Sequence, residues 1–402
     1  MPYLKINLKN IIGLVCLVLP FFSCNKPPIQ TEIVSPNGEI KIVLDSESKV
    51  LKYKVLEDDK EIILNSEISI LQGINVEVLD TKINHVNETW NPVWGQYSEI
   101  NDNYNELEIS LNYSGALATL FVRCYDRGIA FRFAIPEVPE KSKPSFSIEY
   151  DLPIASNLYS ASAGIGAPNG PIVIESLTTM DSIPYKFQMP LVIENSSKQY
   201  VSLLESDLIS APGFEVINFS FDKKRDKLIS KNDFNSDEKS LITPWRIILI
   251  EDQIGNLVTN TVPLNVAAPN KIENTSWIKP GKTLWDFRVH GYTADDGFIY
   301  GVNNESYYRF IDFASKNNIE YFMIDAGWYS DVKQGYMQMS ENLDLDKVTR
   351  YAEEKGVSII LYYDRKEGDF GDEALFPYYK SLGVKGIKYG FMNKNVPFTR
   401  EA

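Results

Sequence analysis

Ile319–Trp328 reads IEYFMIDAGW, an apolar run that delivers Asp325 and then Gly327 and Trp328. Val357–Asp364, VSIILYYD, repeats that grammar and delivers Tyr362, Tyr363 and Asp364. Short runs rich in β-branched and aromatic residues predict strands. Between them Asp344–Lys355, DLDKVTRYAEEK, has helical periodicity and is stopped by Gly356. The same order extends both ways. A strand at Thr283–Val289 precedes a helix at Glu305–Lys316, ended by Asn317 and Asn318. A helix at Glu373–Ser381, ended by Gly383, precedes a strand at Val384–Tyr389. Pro377 weakens that third helix, because proline fits only the first turn. Alternating strands and helices of this size predict a parallel β/α layer. An eight-stranded barrel takes about 250 residues, and only about four strands precede Ala402. The expectation for 281–402 is therefore the N-terminal half of a (β/α)8 TIM barrel, in a chain truncated at its C-terminal end.

Upstream the grammar is different. Glu39–Leu44, Leu51–Leu56, Glu106–Tyr113, Ala118–Cys124, Gly128–Ile135, Tyr200–Leu204 and Trp245–Ile250 alternate apolar and polar residues, with Gly, Asn, Asp and Pro between them. That spacing predicts a large β-sandwich over 31–264, followed by a linker at 265–280. Lys5, Lys9 and the apolar run Ile11–Phe22 predict a signal peptide at 1–23, too short to span a membrane as a mature helix. Ser23 before Cys24 is a lipoprotein-type ending, so Cys24 is the expected lipidation site and 24–30 a tether. The expected location is the periplasm or the outer membrane, held only by that lipid.

Composition narrows the function. Net charge is −14, which argues against nucleic acid as a partner, because phosphate contacts need clustered Lys and Arg. His85 and His290 are the only histidines, so zinc clusters and Ser-His-Asp triads are excluded by scarcity. Of the three cysteines, Cys16 leaves with the signal, so a disulfide framework is not expected despite export. With 23 Tyr, 20 Phe and 6 Trp, flat faces for sugar rings are plentiful. Acids beside aromatics at the carboxyl ends of parallel strands are where barrels place their chemistry, and carboxylates handle glycosidic bonds. Asp325 and Trp328 are candidate substrate-binding residues on this ground, the ring stacking on the indole; Trp285, Asp286 and Arg288 close the first strand in the same way.

The order of signal, sandwich and barrel resembles bacterial glycoside hydrolase family 97, enzymes of α-glucosides and α-galactosides. The likeness rests on WGQYSEINDNYNELEISL (Trp94–Leu111), YVSLLESDL (Tyr200–Leu208) and DFASKNNIEYFMIDAGWY (Asp312–Tyr329). It implies an oligosaccharide substrate and calcium as cofactor, with Glu205 as a calcium ligand reaching from the sandwich. One Glu cannot satisfy the six to eight oxygens calcium takes, so further ligands are expected beyond Ala402, as is the proton donor. Asp364 matches the position of the general base in inverting members, after Tyr362 and Tyr363; Arg365 beside it favours the ionised form. Tyr362 and Lys388 are implied substrate contacts. Gly390 stands where retaining members carry a nucleophilic Asp, which favours inversion. A surface glycan-binding lipoprotein without catalysis is the alternative.

Overall fold

The computed structural model describes residues 30–390, apart from 47–48, 141, 154–155, 161–171, 175–185 and 196–197. The expected signal peptide, Cys24 and the tether to residue 29 lie outside the described residues, as do 391–402.

The described residues between 30 and 251 form an eight-stranded and a ten-stranded antiparallel sheet. Their facing sides share a core that includes Ile42, Val55, Leu107, Leu120, Phe131, Phe146, Leu203 and Phe219. The alternation that predicts strands is the burial pattern itself: Lys52–Glu57 runs half-buried, buried, half-buried, buried to its end. Cys124 is a buried core residue. The 15-residue strand Val76–Trp90 was not anticipated. It is a sheet edge and largely exposed, so its sequence carries little apolar alternation. Short helices at Asn256–Thr259 and Val262–Asn265 then lead out of the sandwich.

One buried acid sets a pH dependence here. Asp102, on the strand Ile100–Tyr113, is 6 % exposed. Burial pushes its carboxyl up to about 6 from an ordinary 3.8, and Arg123 offsets this only in part. Between those values the folded chain holds a proton that the unfolded chain has released. The group's stabilising contribution is present below about pH 4 and is lost as pH rises through 6. Asp102→Asn is expected to raise stability at pH 7.5 by roughly 1–2 kcal/mol and to change little at pH 4. Denaturant melts at the two pH values check this.

The second unit is a four-stranded parallel sheet in the order β1 (Thr283–Trp285), β2 (Tyr321–Ile324), β3 (Ser358–Asp364), β4 (Gly386–Gly390). Helices α1 (Asn304–Lys316), α2 (Leu345–Glu354) and α3 (Asp372–Ser381) connect successive strands. Asn303 caps α1 by accepting from the Ser306 amide at 2.8 Å, and Asp344 caps α2 from the Lys347 amide at 3.1 Å. Tyr307, Ile311, Val348, Ala352, Leu375 and Tyr379 pack against Phe322, Ile324, Ile359 and Leu361. Pro377 sits inside α3; the burial of Leu375 and Tyr379 holds that helix despite the lost amide.

One expectation is corrected and one element is new. The first strand ends at Trp285, and Phe287–Val289 turn as a 3-10 helix instead of continuing it. Between β2 and α2 lies a hairpin, Tyr329–Lys333 with Tyr336–Met339, in a stretch to which the sequence reading assigns no element.

Candidate active site

Parallel register sets the carboxyl ends of the strands side by side. Trp285 pairs with Met323, Tyr362 with Lys388, and Asp364 with Gly390. Asp325 follows β2 and is 4 % exposed. Its carboxylate accepts from the Trp285 indole N–H, the Lys388 ammonium and, at 2.8 Å, the Ala326 amide. Burial pushes the Asp325 carboxyl up, but these donors outweigh it and hold it below the usual carboxylate range. The Lys388 ammonium also lies 4.7 Å from the Trp285 ring centre and 4.9 Å from that of Tyr362, within cation–π range. Lys388 is thus a bridge between a carboxylate and two aromatic faces.

Asp364 ends β3 and is also buried. One oxygen accepts from the Lys366 amide at 2.8 Å, the other from the Tyr362 hydroxyl at 3.1 Å. Its own amide donates to the Tyr329 hydroxyl at 3.0 Å. The Arg365 guanidinium lies 3.8 Å from Asp369 and 3.5 Å from Asp372, while the Asp364 carboxylate accepts from one amide and one neutral hydroxyl.

The two family models that match this chain are described as Glycosyl-hydrolase 97 N-terminal, over residues 33–269, and Glycoside hydrolase 97, over residues 284–400. The chain belongs to glycoside hydrolase family 97. It is 27 % identical over 409 residues to a retaining alpha-galactosidase of Bacteroides thetaiotaomicron, a match covering 91 % of this chain and 60 % of that protein. The chain therefore spans less than two thirds of that relative's length. In fold it is similar to a family 97 enzyme of Pseudoalteromonas sp. strain K8 solved with panose. That likeness has a TM-score of 0.76 at 20 % identity, over 90 % of this chain and 59 % of that one. A beta-arabinopyranosidase structure is similar at a TM-score of 0.72 and 18 % identity, over 89 % of this chain and 61 % of that one.

Three sequence expectations for this family 97 chain need correcting against its geometry. Trp328 is fully buried. Its indole N–H donates to the Tyr362 carbonyl at 2.7 Å, and Tyr329 and Tyr379 pack edge-on to it at 4.9 and 5.9 Å. It is a core residue under the site and offers no face to a sugar; the exposed indole is Trp285. Tyr362 has its hydroxyl engaged by Asp364 and its ring by Lys388, so it supports those two groups instead of meeting a substrate. Glu205 is the third. Antiparallel register sets it opposite Arg246, both side chains sealed in the sandwich. One carboxylate oxygen accepts from the Ile217 amide at 2.9 Å and the other from the Arg246 guanidinium. Among the described residues no group of three or more His, Cys, Asp or Glu could hold a metal ion. The residues around Glu205 do not fit a calcium site.

Two contributors went unread. Asp286 was noted as a strand end, but its role is to brace the site. Its buried carboxylate accepts from the Asp325 amide at 2.9 Å and pairs with His290 Nε2 at 3.1 Å. Burial pushes the Asp286 carboxyl up, offset in part by those contacts. Tyr329, the first residue of the hairpin, was seen only as part of a motif, and nothing local signals that its hydroxyl reaches Asp364.

Proposed function

We propose that the protein hydrolyses α-glycosidic bonds of oligosaccharides, with Asp364 as general base on a water molecule and inversion at the anomeric carbon. The observation that carries this reading is the pairing of Asp364 with Gly390 across β3 and β4. One strand end holds an oriented carboxylate and its neighbour has no side chain with which to form a glycosyl intermediate. The curated relative is named as a retaining enzyme; for this chain Gly390 supports the other course. Asp325, Lys388 and Trp285 form the binding side, where a carboxylate, an ammonium and an exposed indole suit a sugar's hydroxyls and its apolar face. Proton NMR of the first-formed sugar tests the reading: the inverted anomer is expected, and a retained one overturns the roles of both Asp364 and Gly390.

The place of action is part of the same reading. Lipid on Cys24 would hold the protein at a membrane surface in the cell envelope, near glycans arriving from outside. Cys24→Ser is expected to move it to the soluble fraction on cell fractionation. Unchanged membrane association refutes the anchor.

A further inference from the structure

Tyr362 is held from several sides. Its carbonyl accepts from the Trp328 indole at 2.7 Å and from the Tyr379 hydroxyl at 3.2 Å. The Lys388 ammonium lies 4.9 Å from its ring centre, and its hydroxyl donates to Asp364 at 3.1 Å. Across the strand pair, a Cβ placed on Gly390 would collide with Tyr362 Cε2 and lie 2.9 Å from Oη and 3.0 Å from Cζ. Gly390 is not among the glycines with positive φ, so its backbone does not call for glycine. What excludes a larger residue there is the tyrosine ring.

We propose that Tyr362 is the positioning residue of this site, a wedge that excludes any side chain at 390 and orients the Asp364 carboxylate through its hydroxyl. One aromatic residue then enforces both halves of the arrangement: it denies a nucleophile to the end of β4 and steadies the base at the end of β3. The phenol suits this work. Burial, then the charge and hydrogen bond of Asp364, push its pKa above the usual tyrosine range, so it remains a proton donor to the carboxylate at any working pH. The ring carries Lys388 on one contact and contributes its edge to the Gly390 contact, so moving it disturbs both neighbours. The inference rests on the reading of Asp364 as base only for its catalytic meaning; the geometry is testable without turnover.

Two measurements on the purified full chain test it. In thermal melts, Gly390→Ala is expected to lower Tm in the wild-type background, and the drop should shrink by more than half when Tyr362→Ala is also present. Tyr362→Leu serves if Tyr362→Ala fails to fold, since Leu also stops short of Cε2, Cζ and Oη. Additive drops overturn the wedge. The second measurement uses Tyr362→Phe, which keeps the ring and removes the hydroxyl. With carboxyl-13C aspartate labelling, and the Asp364 signal assigned by its loss in Asp364→Asn, that signal alone should shift at neutral pH in Tyr362→Phe. Tm and its response to Gly390→Ala should stay as in the wild type. An unmoved Asp364 signal overturns the orienting role. Neither readout requires hydrolysis, so a failure of the general-base reading shows separately, as undiminished turnover in Asp364→Asn.

Discussion

In a protein that carries the expected proton donor as well, Asp364→Asn is expected to cut turnover of an α-glycoside by about 10²–10⁴-fold, the usual share of a general base, and to leave the fold intact. The amide matches the carboxylate in shape. It can still accept one of the two hydrogen bonds now made to Asp364, from the Lys366 amide or the Tyr362 hydroxyl. What it cannot do is take a proton from water. The loss should therefore fall on kcat, with KM little changed, since Asp325, Lys388 and Trp285 are untouched. Azide is a nucleophile that needs no base, so it should restore part of the rate and yield a glycosyl azide of inverted configuration. Near-wild-type turnover in Asp364→Asn would assign the base to another group.

The β/α half of the chain was legible because its signals are local. Each helix has a stop within a residue or two of its end, such as Gly356 and Gly383, both with positive φ. Each strand is a contiguous apolar run that needs no partner to be recognised. What the sequence hid depends on contacts between distant residues. Trp328 and Trp285 look alike as tryptophans near strand ends. One lies under the sheet against Tyr379, and the other ties its indole to Asp325 at the surface. No spacing rule separates them, because the difference lies in how the loop after β2 folds back through the hairpin.

The acids show the same division. Asp325 and Asp364 were found because a parallel strand fixes where its last side chains go, whatever surrounds them. Their charged neighbours were not legible. Arg365, adjacent in sequence, turns to Asp369 and Asp372, whereas Lys388, 63 residues away, reaches Asp325. Adjacency in sequence did not pick out these partners, which depend on how the strand ends and their loops pack together. Gly390 was read as a missing nucleophile, and only the packing of Tyr362 over it gives a reason for the glycine.

Register also decides Glu205, and its removal should cost about as much stability as any single change in the sandwich. Arg246 has no exposed surface, and its Nε and Nη2 make no hydrogen bond. Glu205 supplies its carboxylate partner, and the face of Phe146 lies 4.9 Å from the guanidinium carbon. Deleting the carboxylate strands a cation where water cannot reach it, which typically costs about 3–5 kcal/mol. Glu205→Ala is expected to lose that much in denaturant unfolding. The double variant Glu205→Leu with Arg246→Met should recover most of it, because apolar side chains of similar volume owe nothing to desolvation. The same variants separate this role from the metal role implied by family resemblance. If Glu205 is a structural partner, millimolar calcium shifts the melting of wild-type and Glu205→Gln protein equally. A calcium-induced stabilisation present in the wild type and absent in Glu205→Gln would mean that the carboxylate leaves Arg246 for the ion, and the ion pair would then be only its resting state.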